Sequence, residues 1–526
     1  SGLDGPTPYE TCMVCTATRS GGPGLKVCRP GASLIRFGTG RPRNVQFFGH
    51  AFSLELGEAR ISGVMPDAHH LLLEGPCRVE DGGEELLCVR ESMHRTLVGV
   101  RGVFDPGWLD RPLPSRPQEA VVGGAVAPAG LTGNGRAAWE KALSVMRGQV
   151  YSPQGRIRHR WTTPDRWPHR DMWLWDSAFH AIGWRHVDPG MARDALSAVL
   201  DCQDAGGFLA HQARPDWQSD LTQPPVLAYA VELVHRVDRD DAWVQELYPK
   251  LASYLTWDRE NRDRDGAGLL EWELRDFEHC RSGESGCDNS PRFDEARLLD
   301  APDFNAYLAN DLDSLARLAP LAGHAEDAPR WRAAADRLRT LINRRLWDED
   351  DGFYFDLDPA TGSLKKVWAS SGFMPLLCGA PDAAMAQRLV AHLYDDGPFD
   401  TALPVASVSP RDPAYSPDMW RGPSWANHSW LIAEGLDRYG YRAAARRIRD
   451  RWCEVLVREH GRYGTLFEYY DGQDRIPPVA LLRKGANKPQ FPHQAIRDYG
   501  WTATLFVDWC CRAAVAPQSG GTHCPG

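Results

Sequence analysis

The chain has 526 residues, 43% hydrophobic and 25% charged, which is globular composition with room for more than one domain. Its net charge of −10 excludes a general positive surface for nucleic acid, and no apolar run approaches the about 18 residues of a membrane span. Ser1–Pro6 carries neither a basic n-region nor an apolar h-region, so no secretory signal is expected. Thirteen scattered cysteines, an odd count, point to free thiols in a reducing, cytoplasmic setting. Cys12 and Cys15 are spaced as CxxC without a second close pair, so no zinc site is expected.

In chain order, residues 1–29 are rich in Gly, Pro and Thr and read as irregular. Over 30–104, short apolar stretches such as Val45–Phe48 and Leu71–Leu73 are separated by turn signals such as Asp81-Gly82-Gly83, and Val98–Phe104 alternates as a half-buried strand does. That is the pattern of a small antiparallel β-sandwich-like domain. Residues 105–134, with prolines at 106, 112, 114, 117 and 128, read as a linker.

From about 135 the apolar period lengthens to that of a helix. Helices are predicted over 136–147, 177–184, 190–202, 224–236, 241–259, 304–321, 328–345, 382–395, 424–438, 441–459 and 494–514. In 328–345, Trp331, Ala334, Ala335, Leu338, Leu341 and Ile342 fall on one face and arginines on the other. So many helices need a shared core; an (α/α)6 toroid over 135–515 provides one, with 516–526 as a flexible tail. The predicted class is therefore mainly α, with the small β domain in front. An open solenoid would show a fixed repeat, and none is visible. The long loops 148–176, 203–223, 260–303, 396–423 and 460–493 would gather at one rim.

These loops hold most of the informative residues. Many of the 20 tryptophans stand beside Asp, Arg, Pro or Gly. Aromatic faces next to carboxylates and amides suit a ligand with C–H faces and hydroxyl edges, a small carbohydrate. Four segments stand out: Trp173-Leu174-Trp175-Asp176-Ser177; Glu284-Ser285-Gly286-Cys287-Asp288-Asn289-Ser290-Pro291; Met419-Trp420-Arg421-Gly422-Pro423-Ser424-Trp425-Ala426-Asn427; and Phe467-Glu468-Tyr469-Tyr470 followed by Asp498-Tyr499-Gly500-Trp501. Together, in this order, they resemble the motifs of glycoside hydrolase family 63 and the related mannosylglycerate and glucosylglycerate hydrolases.

The resemblance covers roughly residues 135–515. It implies an (α/α)6 catalytic domain that hydrolyses an α-glycosidic bond with inversion, and an exo-acting enzyme on a short α-glucoside is the expected function. By position, Asp288 corresponds to the general acid and Glu468 to the general base. One carboxylic acid protonates the leaving oxygen while the other carboxylate activates water on the opposite face. A donor must be protonated at working pH, so burial or a nearby acid such as Glu284 is expected beside Asp288. Trp175 and Asp176 correspond to the pair holding the non-reducing sugar, although an aspartate there also suits a helix N-cap. Trp420, Arg421, Trp425 and Asn427 would line the same pocket, with core packing an equal alternative for Trp425. Gln223 and Asp498 either bind substrate or position a loop, and Tyr469 and Trp501 are either wall or core.

No cofactor or metal is expected: His169 and His211 lack partners at ligand spacing, and no HExxH, EF-hand or P-loop pattern occurs. A glycerate-bearing substrate would need a cation beyond the scissile bond, for which Arg166, Arg170, Arg214, Arg281 and Arg292 lie in suitable loops. An epimerase or lyase would need His or Tyr bases in place of two carboxylates, and a non-catalytic sugar-binding protein has no need of them. The sequence does not specify an oligomeric state.

Overall fold

A computed structural model describes residues 9–10, 12–18, 22–29, 31, 33–47, 50–80, 87–92, 94–111, 125–275, 280–394, 396–485 and 495–515. Residues 1–8, the linker prolines 112, 114 and 117, and the predicted tail 516–526 lie outside them. The first part is all strand: β1 (Val14–Thr18), β2 (Gly24–Arg29), β3 (Ser33–Arg36), β4 (Arg43–Phe47), β5 (Ala51–Leu56), β6 (Ala59–Val64), β7 (His70–Glu74), β8 (Arg78–Glu80), β9 (Leu87–Ser92) and β10 (Arg95–Val100). They form two sheets, ordered β1-β2-β3-β8 and β4-β5-β6-β7-β10-β9, with every ladder antiparallel. Side chains of both sheets, among them Val27, Ile35, Phe52, Ile61, Leu73 and Val98, share one apolar cluster.

Val14–Thr18 and Gly24–Arg29 therefore pair as antiparallel strands, and the irregular segment expected over 1–29 is corrected at those residues. Leu25 and Val27 are buried while Lys26 between them is exposed, the period-two pattern of a half-buried strand. The β-branched Val14, Thr16 and Thr18 favour the same conformation.

Among the described residues the second part has twelve helices: α1 (Gly133–Gly148), α2 (Leu174–Trp184), α3 (Pro189–Asp201), α4 (Leu227–Asp238), α5 (Asp241–Asn261), α6 (Pro302–Leu318), α7 (Ala328–Arg345), α8 (Pro375–Cys378), α9 (Ala383–Ala391), α10 (Ala426–Arg438), α11 (Arg442–Tyr463) and α12 (Gly500–Val515). Eleven match predicted stretches. The extra one, α8, is a single turn closed by Gly379 at φ +78°, too short to show a period.

Caps set several boundaries: the side chains of Asp188, Asp240 and Asp382 accept the backbone N–H of Met191, Trp243 and Met385 at the starts of α3, α5 and α9, each satisfying an orphan donor. The helices fall into two kinds. All of α2 is buried, and α6 nearly so, whereas α7 buries Trp331, Ala334, Ala335, Leu338 and Ile342 and turns Arg330, Arg332, Arg337 and Arg344 outward. Contacts run from α2 to α4, α4 to α6, α6 to α8, α8 to α10, α10 to α12 and α12 back to α2. None of the helices in the described residues is long and apolar enough to cross a membrane.

A seam joins the two parts. Tyr9 lies against Tyr151 and Trp161, its hydroxyl donates to Asp171 Oδ1 at 2.7 Å, and its carbonyl accepts from Arg170 Nη2. Asp171 Oδ2 accepts from Gln212 Nε2 at 2.6 Å. The strand following Asp171, Met172–Trp173, pairs with Gln212–Arg214 and leads directly into α2.

Candidate active site

Asp288 sits on a loop whose shape is fixed on both sides. Gly286, at φ +71°, lies so close to Trp175 that a Cβ would meet the indole at 2.2 Å; only glycine fits both requirements. Ser285 Oγ accepts the backbone N–H of Cys287 at 3.0 Å. Asn289 Oδ1 accepts the N–H of Trp420 at 2.9 Å. Beyond Pro291, Arg292 is buried between Asp303 and Asp356, with contacts of 2.6 Å to each. Burial pushes Asp356 up; at Asp303 burial acts the same way, but Arg292 outweighs it and holds that carboxyl low.

Glu468 comes from the opposite side. Its segment bridges Ser424 through Tyr470 and Arg497 through Phe467, and its N–H donates to Ile496 O at 2.8 Å. Its carboxylate pairs with Arg483 and is 2% exposed. Burial pushes Glu468 up, and Arg483 and His169 pull it only part of the way back. The residue after Arg483 pairs with the other carboxylate: Lys484 Nζ lies 2.5 Å from Asp288 Oδ2. Consecutive Cα atoms are about 3.8 Å apart, so one dipeptide brings the two acids into a common neighbourhood. Asp176 belongs to it as well: burial pushes its carboxyl well up, and Glu468 and Asp288 both add to the shift.

The tryptophans supply a wall. Trp420 and Trp425 stack at 3.9 Å with 3° between their planes. Trp425 meets Tyr469 at 4.7 Å and Trp501 at 5.7 Å, and Trp175 meets Trp501 edge-on at 5.4 Å. Asn427 is fully buried, and neither side-chain atom has a hydrogen-bond partner among the described residues; the same holds for Asp176 Oδ1 and Trp501 Nε1.

Other expected residues make contacts within the protein. Gln223 Oε1 accepts the N–H of Trp175 at 3.1 Å. Arg421 pairs with Asp294 at 2.7 Å and donates to Asn289 O. Asp498, at φ +56°, pairs with Lys141 at 2.9 Å and accepts from Thr465 Oγ1. Glu284, expected beside Asp288, is committed to Arg262 at 2.6 Å and to the N–H groups of Thr222 and Glu273. The five rim arginines are engaged too: Arg166 with Gly148 O, Arg170 with Tyr9 O, Arg214 with Asp216, Arg281 with the carbonyls of Phe293 and Ala296, and Arg292 as above. His169 pairs with Asp165 at 2.7 Å, and His211 meets Ser219 Oγ at 2.5 Å.

Sequence reasoning missed Arg483 and Lys484, two cations among many in a Pro-rich stretch. It also missed His428, which is buried against Trp175 and Trp420 and meets Ser370 Oγ through Nδ1 at 2.8 Å.

The model of the mannosylglycerate hydrolase MGH1-like glycoside hydrolase domain matches residues 168–502, the span that contains every one of the groups assigned to the chemistry and the sugar. The chain belongs to that family. This glycoside hydrolase is 30% identical over 436 residues to a mannosylglycerate hydrolase of Thermus thermophilus, a match spanning 68% of this chain and 98% of the relative. A GH63 mannosylglycerate hydrolase from Thermus thermophilus, solved in complex with Tris and D-glycerate, aligns with a TM-score of 0.58 at 25% identity over 71% of this chain and 99% of its own. A rhamnosidase from Klebsiella oxytoca, 15% identical with a TM-score of 0.55, covers 96% of this chain and 95% of its own; that likeness is one of fold alone. The resemblance to family 63 and the mannosylglycerate hydrolases thus holds, and a small carbohydrate is the substrate class of a glycoside hydrolase.

Proposed function

We propose that the chain is an inverting, exo-acting α-glycosidase on a short α-glucoside, with Asp288 as general acid and Glu468 as general base. The observation that carries this reading is the meeting of the two carboxylates at one dipeptide, each on its own cation, beside a wall of tryptophans. Asp288 donates its proton to the glycosidic oxygen, which leaves with the electron pair of the broken C1–O bond. Water attacks C1 from the other face and gives a proton to Glu468. Trp175, Trp420, Trp425, Tyr469 and Trp501 offer apolar faces to the sugar. Asp176 and Asn427 offer its hydroxyls buried polar atoms without partners among the described residues, where an unmet group is costly and a matching hydroxyl is strongly preferred. Gln223, Arg421 and Asp498 act by holding the walls in place.

The cycle of contacts α2-α4-α6-α8-α10-α12, with the remaining helices outside it, supports a six-hairpin (α/α)6 toroid as the architecture. The β region, which runs from β1 through β10 and is joined by the linker 105–134, is read as a domain added to the helical one over 135–515. The second substrate reading is a glucosylglycerate or mannosylglycerate hydrolase, and the names of the relatives favour the mannosylglycerate member of that pair. A purely sugar-binding role leaves the paired acids without a purpose.

Proton NMR of the anomeric region during hydrolysis of glucosylglycerate, mannosylglycerate, kojibiose, nigerose and trehalose tests this. The expected result is a β-anomer appearing first from one member and absent with Asp288→Ala. An α-anomer appearing first excludes inversion, and equal turnover by Asp288→Ala excludes the assigned acid.

A further inference from the structure

The cation on Asp288 differs from the structural cations of this chain. Arg292, Arg262 and Arg185 are buried guanidinium groups closed on their carboxylates. Lys484 is a third exposed, and among the described residues its one ion pair is with a carboxylate that is itself 21% exposed. An ammonium is a compact point charge on a flexible four-carbon stem. Its base, by contrast, is pinned. Leu482 N donates to Pro417 O at 3.0 Å, Tyr469 Oη donates to Leu482 O at 2.5 Å, and Gly485 N donates to Asp418 Oδ2 at 2.7 Å. Lys484 has a fixed root and a movable head.

The head occupies one of the two oxygens from which Asp288 could act as an acid. A lysine ammonium donates but cannot accept, so Asp288 Oδ2 cannot both hold Nζ and carry a proton toward a leaving oxygen. Hydrolysis through that oxygen therefore requires Lys484 to let go. The leaving group lies alongside its acid, so a carboxylate two bonds from the glycosidic oxygen would arrive within reach of Nζ. The rim arginines that might have received it are engaged elsewhere.

Resting on the reading of Asp288 as general acid, we propose that Lys484 determines specificity: it masks Asp288 until a carboxylate on the leaving group draws the ammonium away. The substrate's anion then unmasks the acid that cleaves it. A neutral leaving group leaves the lysine in place. No bond is made or broken in this exchange; Nζ keeps its protons, and Asp288 takes one from solvent before donating it.

The test compares α-glucosylglycerate with α-glucosylglycerol, in which a CH2OH replaces the carboxylate, on wild type, K484M, K484R and D288N. A hydrogen bond to a charged group corresponds to about 10- to 150-fold in kcat/KM. Wild type is expected to favour the anionic glycoside by a factor in that range. K484M should collapse the preference from both sides, losing kcat on the anionic substrate and gaining kcat on the neutral one, and K484R should restore part of it. A merely structural lysine would move both substrates by the same factor, and that result overturns the proposal, as does a wild type without preference. If D288N turns over both glycosides at the wild-type rate, or wild type turns over neither, the reading of Asp288 fails and the inference falls with it.

Discussion

Replacing Gly286 by alanine puts a methyl group 2.2 Å from Trp175 Cζ2 and 2.6 Å from Cη2. Carbon atoms rest at about 3.5 Å or more, so the loop must retreat by about 1.3 Å. Asp288 is two residues further on. Displacing a reacting group by about 1 Å can cost about 100-fold, and Gly286→Ala is expected to lower kcat by about that factor. The left-handed φ adds a backbone cost of about 1 to 2 kcal/mol, seen as a lower Tm. Gly323→Ala separates the two effects. Gly323 has φ +81° but nothing near its Cβ, and it lies in the turn after α6, so Tm should fall while kcat holds. The assay pairs initial rates of glycoside hydrolysis with thermal unfolding of both variants. A folded Gly286→Ala enzyme within about threefold of the wild-type kcat, far short of that expected loss, would refute the argument that Trp175 sets the position of Asp288.

Asp288→Asn and Glu468→Gln should each reduce kcat by about 100- to 10,000-fold; steady-state rates check this, and a loss below about tenfold for either would remove it from the chemistry. Arg292→Met leaves Asp303 and Asp356 buried without their cation and should cost about 3 to 5 kcal/mol, read from the urea midpoint; an unchanged midpoint would contradict it. Burial holds His428 down at about 3 against an ordinary 6.5. A depressed histidine contributes stability that is present above 6.5 and lost as pH falls toward 3. At about pH 4.5 the loss from this group is about 2 to 3 kcal/mol, and His428→Gln should flatten that part of the urea midpoint against pH; an equally steep fall in the variant would count against it. Trp420→Ala removes the stacked partner of Trp425 and should cost about 3 to 5 kcal/mol, measured by the same denaturation.

Much of this arrangement is legible in the sequence because it depends on local chemistry. Helix α7 can be read from the spacing of Trp331, Ala335, Leu338 and Ile342, since a helix facing both core and solvent writes its period into the chain. The wholly buried α2 reads shorter than it is, because a helix buried on every side has no polar face to mark it. The glycine of the Asp288 segment foretells a turn, but not that Trp175 is the surface it rests on. Glu284 is misjudged as a neighbour of Asp288: it is near in sequence, whereas Arg262 reaches it through the fold. Arg483 and Lys484 are invisible for the converse reason. Their partners lie 15 residues back and in a distant loop, and nothing in a Pro-rich stretch distinguishes two cations that close on carboxylates from those that face water.

The seam at Tyr9 has a consequence for how the protein can be divided. Tyr9 reaches Asp171, and Asp171 stands just before the strand that leads into α2 and Trp175. Removing the N-terminal region would not detach a passive module. It would open the faces of Tyr151, Trp161 and Arg170, deprive Asp171 of one of its two partners among the described residues, and loosen the footing of the aromatic wall around Trp175. The catalytic helices and the strands before them are thus a single working unit, and a fragment cut at the linker would forfeit turnover along with stability.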